Sequence, residues 1–144
     1  MCCTAVLAVG LFTACDPVSW VNYSICNKSG HDVNIMSTSA RYSELWRDNP
    51  DGLTVRDGMD TLFFSYDVLE HKVELSDAKH GLDGYVYGDT VTITFDDGKR
   101  IVYLKKEGKG VFDYEGEHYS WKTEGNGNGL STYTIIEEDY NSAQ

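Results

Sequence analysis

The chain predicts an all-β fold, an antiparallel two-layer β-sandwich, from its alternation, its turns and its lack of helical period. Apolar and polar residues alternate over short runs, most regularly in Thr90-Val91-Thr92-Ile93-Thr94-Phe95, the period of a strand with one buried face. Clusters of glycine, asparagine and aspartate punctuate these runs, as turns between neighbouring strands require. No long helical pattern alternates with the strands, which argues against a parallel sheet covered by crossover helices. About eight to ten short strands follow from this spacing, enough for two packed layers. A small β-barrel is the alternative closure.

Taken in order, Trp20-Val21-Asn22-Tyr23-Ser24-Ile25-Cys26 puts Val21, Tyr23 and Ile25 on one face. Asn27-Lys28-Ser29-Gly30 supplies turn chemistry and Val33-Asn34-Ile35-Met36 returns, predicting a first hairpin. Tyr42, Leu45 and Trp46 have the spacing of an amphipathic helical turn, which Asp48-Asn49-Pro50-Asp51-Gly52 ends. Leu53-Thr54-Val55 reads as a strand, Asp57-Gly58 as a turn, and Leu62, Phe64 and Tyr66 as the core face of the next strand. His71-Lys72-Val73-Glu74-Leu75 alternates again, with Val73 and Leu75 inward, and Ser76 to Gly84 reads as a loop.

Asp96-Asp97-Gly98-Lys99 is a strong hairpin signal. It leads into Ile101-Val102-Tyr103-Leu104, apolar on both faces as a central strand is. Gly108-Lys109-Gly110 turns into Val111-Phe112-Asp113-Tyr114, and Glu115-Gly116-Glu117 turns into His118-Tyr119-Ser120-Trp121-Lys122-Thr123. The loop Gly125-Asn126-Gly127-Asn128-Gly129 precedes the strand Leu130–Ile136, and Glu137-Glu138-Asp139-Tyr140 forms a short helical turn or a frayed end. The style is that of immunoglobulin-like or transthyretin-like sandwiches.

The N-terminus is of another kind. Ala5-Val6-Leu7-Ala8-Val9-Gly10-Leu11-Phe12 is apolar but far short of the about 20 residues that span a bilayer. It has the length of a secretory signal's apolar region, although no Lys or Arg precedes it. Leu11-Phe12-Thr13-Ala14-Cys15 looks like a bacterial lipobox, with phenylalanine where leucine is usual. The segments expected are therefore a signal peptide over 1–14, a lipid-anchored tether over 15–19 and a single β-sandwich domain over 20–144. Cys15 would carry the acyl chains (palmitate in type). Each buried methylene contributes about 0.8 kcal/mol, so several chains together hold a protein firmly.

The net charge of −11 argues against nucleic acid, which needs a basic face, and against attraction to anionic lipid. Of four cysteines, Cys2 and Cys3 leave with the signal and Cys15 is modified. Cys26 then has no partner for a disulfide, and a lone cysteine in a strand is ordinarily a small buried hydrophobe. The fold must rest on its apolar core.

The aromatic residues are the best lead to a ligand. Ten tyrosines and three tryptophans include Tyr119 and Trp121 on one strand face, and Trp46 in a segment that no sheet claims. Flat rings beside carboxylates and amides stack on sugars; they are also good strand residues that pack on cross-strand neighbours. His31, His71, His80 and His118 are widely separated and no HExxH or CxxC occurs, so neither a metal nor any other cofactor is expected. No GxSxG elbow or phosphate loop is present and no carboxylate pair stands out, so catalysis is not expected. Asp60-Thr61-Leu62 and Asp89-Thr90-Val91 resemble the Asp-Thr-apolar acceptor for O-glycosylation in some gut-dwelling Gram-negative bacteria, at Thr61 and Thr90.

With Cys15 ahead of a short, acidic, tyrosine-rich β-domain, the chain resembles the small outer-membrane lipoproteins of Gram-negative gut anaerobes. The resemblance implies an envelope location and a lipid anchor, with the membrane leaflet open, and transfers no active residues. The function expected is a non-catalytic binding or interaction module for a glycan or an envelope-complex partner. The alternatives are a structural or assembly lipoprotein facing the periplasm and, further off, a small hydrolase or an inhibitor of one.

Overall fold

A computed structural model describes residues 18–38, 44–69 and 72–144. The apolar run, the lipobox with Cys15, Tyr42 and His71 lie outside the described residues. Two four-stranded sheets pack on each other, and no barrel closes. Sheet A has the order β4-β1-β8-β7 and sheet B the order β3-β2-β5-β6, where β1 is Val18–Lys28, β2 Val33–Thr38, β3 Leu53–Val55, β4 Asp60–Leu69, β5 Thr90–Phe95, β6 Arg100–Leu104, β7 Tyr119–Thr123 and β8 Gly129–Ile136. All pairings are antiparallel except β1 with β8, which run parallel in register Val21↔Gly129 to Lys28↔Ile136. The first strand begins at Val18, inside the segment read as tether.

Alternation places the core as expected. Val21, Tyr23 and Ile25 from β1, Val33 and Ile35 from β2, Val91, Ile93 and Phe95 from β5, and Tyr133 and Ile135 from β8 are all buried. Thr90, Thr92 and Thr94 face outward and are half-exposed. The Asp96–Lys99 turn joins β5 to β6 as a hairpin with the register Thr94↔Arg100, and Gly98 there takes φ +89°, a conformation that costs glycine nothing. The C-terminal segment forms the helix Glu137–Ser142. Its Tyr140 donates to Asp97 at 2.9 Å and stacks on His31 with ring centroids 3.8 Å apart.

The predicted first hairpin does not form: β1 and β2 belong to different sheets. The reason is Asn27, whose surface is fully closed off from solvent. Its side-chain amide donates to the carbonyls of His31 at 2.8 Å and Val55 at 2.9 Å. Its side-chain oxygen accepts from the Ser29 hydroxyl at 2.8 Å and the Ser29 N–H at 3.2 Å. Its backbone N–H donates to Met59 at 3.0 Å and its carbonyl accepts from Gly58 at 2.8 Å. These bonds hold the chain where it crosses between layers and pin the β3–β4 turn to the same point.

Other expectations also give way. Leu62 points outward, 61 % exposed, because the β1–β4 register jumps from Tyr23↔Phe64 to Ser24↔Leu62, and the extra residue Phe63 reverses the faces as a β-bulge does. Residues Val73 to Leu75 are not a strand: Val73 is buried in an irregular segment while Leu75 opens the helix Leu75–Gly81 and is 44 % exposed. The predicted loop from Ser76 to Gly84 is that helix, continued by a π-helical turn over Leu82–Val86. Asp77 fixes its start by accepting from the Glu74 N–H at 2.8 Å, and Ala78, Leu82 and Val86 turn inward at the spacing of a helical stripe. Val111–Phe112 lies in a 3₁₀ turn, not a strand. β6 is an edge strand rather than a central one, which leaves Val102 48 % exposed.

Asn27→Ala removes every bond made by the Asn27 side chain and leaves the buried Val55 carbonyl without that donor, while the Ser29 hydroxyl still donates to the His31 carbonyl at 3.1 Å; the expected loss is about 1–3 kcal/mol. Denaturant unfolding measures this; a change within error would show that the crossing does not depend on Asn27.

Candidate functional site

The helices are labelled α1 (Glu44–Asp48), α2 (Leu75–Gly81) and α3 (Glu137–Ser142). α2 covers part of sheet A's inner face around Tyr23 of β1. The Tyr23 hydroxyl donates to the Ala78 carbonyl at 3.0 Å, and Gly81 leaves room for it, since a Cβ at that position would run into the Tyr23 hydroxyl. Between α2 and the strands β7 and β8 an incompletely filled cleft of about 260 Å³ remains.

Aromatic and aliphatic side chains line this cleft. Tyr119 and Trp121 come from the inner face of β7, Tyr114 from the preceding loop, and Leu75, Ala78 and Leu82 from α2 and the turn that continues it. Ser131 of β8, paired with Trp121, lies beside them. Gly129 of β8 is bare for a reason: a Cβ there would meet the Trp121 indole, which lies over it. Tyr119 donates to the Val111 carbonyl at 2.7 Å, which fixes the phenol, and its ring packs on Tyr114 and Tyr133 with centroids 5.9 and 5.0 Å away. The Tyr114 hydroxyl is closed off from solvent and has no hydrogen-bond partner among the described residues, a cost of about 1–3 kcal/mol carried in the cleft wall.

The rim is polar. Lys79 donates to Glu115 at 2.5 Å, and this hydrogen bond, with the ammonium's charge, holds the Glu115 carboxyl below its usual range. Ser120 completes the mouth. The cleft is thus apolar at its base, bounded by one ion pair, and sized for a single ring rather than an extended ligand. Among the described residues no group of three or more His, Cys, Asp or Glu is placed to hold a metal ion.

The residues singled out from sequence separate. Tyr119 and Trp121 meet in the cleft. Trp46 does not join them: it is 8 % exposed and donates its indole N–H to the Val86 carbonyl at 2.6 Å, so α1 spends its tryptophan on the core. Thr61 and Thr90 stand near or at strand starts in different sheets, both half-exposed. Cys26 is buried, and desolvation, followed by a hydrogen bond with Asp60, raises its thiol pKa, the state of an inert thiol. Sequence reasoning missed Leu75, Lys79, Leu82, Tyr114 and Glu115; the stripe Ala78, Leu82, Val86 behind a capping aspartate was the available signal for the first three.

The chain is therefore a two-sheet β-sandwich whose open flank is filled by a helix and an aromatic cleft. Compared with protein-family models, curated proteins and solved structures, it matches none. No helix among the described residues is long and apolar enough to cross a membrane.

The same tyrosines set an alkaline limit. Burial, before any other cause, pushes the phenols of Tyr23, Tyr87, Tyr103, Tyr114, Tyr119 and Tyr133 well up. Unfolded phenols ionise near pH 10, so above that pH the folded state binds more protons and stability falls as pH rises. The stabilisation is complete below about pH 10. The tyrosinate absorbance of these six buried phenols is expected to appear in one cooperative step with loss of the far-ultraviolet circular dichroism. Their gradual ionisation with the dichroism intact would contradict this.

Proposed function

We propose that the protein is a non-catalytic, lipid-anchored binding module of the bacterial envelope, and that its cleft receives one sugar ring of a glycan. The observation that carries this reading is Trp121 lying over Gly129 in a cleft shared with Tyr119 and Tyr114. A hexose has an apolar C–H face that stacks on an aromatic ring and hydroxyls around its edge, which match the Lys79 and Glu115 rim. Pockets of this build, apolar with few convergent polar groups, are the usual place for a small ligand. The anchor at Cys15 and the outer-membrane location rest on the lipobox resemblance. Thr61 and Thr90 are proposed O-glycan acceptors on sequence grounds alone; an intact mass of host-derived protein equal to the acylated chain would remove them.

A second reading, an assembly lipoprotein facing the periplasm, is favoured by β4. Among the described residues its only strand partner is β1, and Leu62 and Met59 beside its free edge are 61 % and 54 % exposed. Unpaired edges of this kind recruit strands from partners. Protease added to intact host cells separates the two: digestion fits surface display, and protection until the outer membrane is opened fits assembly.

For the cleft, the test is titration of a panel of neutral oligosaccharides. Trp121→Ala is expected to weaken binding about tenfold, the equivalent of about 1.4 kcal/mol. Gly129→Ala, which crowds the indole out of its seat, should weaken it in the same direction. Failure of every glycan to bind the unaltered protein, or equal affinity in Trp121→Ala, would end the glycan reading.

A further inference from the structure

Val18 and Trp20 are 46 % and 43 % exposed, and they stand two residues apart on β1, hence on one face of the strand. Ser19 between them is buried. Scattered exposed hydrophobics need no explanation; what distinguishes this pair is its place in the chain. Three residue steps separate Cys15 from Val18, and an extended chain covers at most about 3.3–3.6 Å per step. Val18 therefore lies within about 11 Å of the residue read as acylated, and Trp20 within about 18 Å.

We infer that Val18 and Trp20 dock on the lipid headgroup layer of the membrane that holds the acyl chains, so that the domain stands on this end rather than swinging free. This rests on the lipid-anchor reading of Cys15 and adds to it a contact surface and an orientation. Acyl chains enter the bilayer at the headgroup boundary, and a tether this short keeps the start of β1 at that depth. Tryptophan favours this depth because its ring is apolar while its indole N–H is polar. The neighbourhood is not basic: Trp20 pairs across the sheet with Asp67, and its backbone N–H donates to the Asn128 side-chain oxygen at 2.9 Å. With a net charge of −11, attraction to anionic lipid does not drive the contact, and apolar burial does.

The orientation also sets where the cleft opens. Tyr23 of β1 pairs with Ser131, which pairs with Trp121. Trp121 is thus level with Tyr23, five residues along β1 from Val18, or about 17 Å at the rise of a strand. The cleft faces sideways just above the membrane, at the height of the membrane-proximal part of a surface glycan.

The test uses the full acylated protein in phosphatidylcholine vesicles carrying lipids brominated near the top of the acyl chain. Tryptophan emission is compared between the unaltered protein and Trp20→Phe, a conservative change at a half-exposed site. Bromolipid quenching is expected in the unaltered protein and at least about threefold less in Trp20→Phe, because Trp20 is the indole at the interface. Quenching should persist at high salt. Absent quenching, or equal quenching in both proteins, with the acyl mass present on Cys15, overturns the docking while leaving the anchor intact. An intact mass without acyl chains overturns the anchor and the docking together.

Discussion

The buried amide of Asn27 governs the topology. In a strand-rich chain the cheapest link between consecutive strands is a hairpin, and Asn27-Lys28-Ser29-Gly30 carries the residues for one. Instead Asn27 satisfies carbonyls on both sides of the crossing, from His31 and from Val55, while its own backbone binds the Gly58–Met59 turn. With both strand connections pinned at one point, β1 is free to take β4 and β8 as neighbours and β2 to take β3 and β5. A buried polar group is tolerable only when its partners are all supplied. Here they come from segments far apart in sequence, so the network forms only when both layers are in place.

That arrangement leaves an open flank. β7 is the last strand of sheet A on its side, and its inner face needs cover near Trp121 and Tyr119. α2 provides it, held by the bond from Tyr23 to Ala78 and by the space Gly81 yields to that hydroxyl. A helix laid across strands does not fill every hollow as a second sheet does, and the cleft is the remainder. Its aromatic base is thus continuous with the core: Tyr119 contacts Tyr133, which is 1 % exposed. The Tyr119 ring is therefore held in place by its hydrogen bond to Val111 and its contact with Tyr133, which lowers the ordering cost of stacking on a ligand.

What sequence alone revealed follows from how local each signal is. The alternation in Thr90–Phe95 and the Asp96–Lys99 turn depend only on neighbouring residues, and both were legible. Leu62 was misplaced because a bulge at Phe63 is decided by the partner strand, and a shift of one residue swaps the faces. Val73 and Leu75 alternate by chance; the chain is helical only from Leu75 onward, because Asp77 caps it and Ala78, Leu82 and Val86 find Tyr23 and the core beneath them. Tyr119 and Trp121 were found because alternation put them on one face, whereas Tyr114 and Lys79 join them only through tertiary contact. Trp46 misled for the converse reason. No strand claimed it locally, but the Val86 carbonyl claims it from 40 residues away.

The charge distribution bears on the proposed placement of the cleft beside a membrane. An acidic domain is repelled by an acidic surface, so a free domain would spend little time near it. A lipid anchor removes that problem by replacing encounter with a tether, whose effective concentration depends on its length. On the proposed anchor at Cys15, with the strand beginning at Val18, the tether would be too short for the domain to leave the interface, and the acidic surface would keep neighbouring copies apart. On that argument the apolar pair at Val18 and Trp20 needs to supply little affinity of its own. On the proposed docking its work is rotational, choosing one orientation among those the tether permits, so that the cleft opens sideways, along the membrane plane.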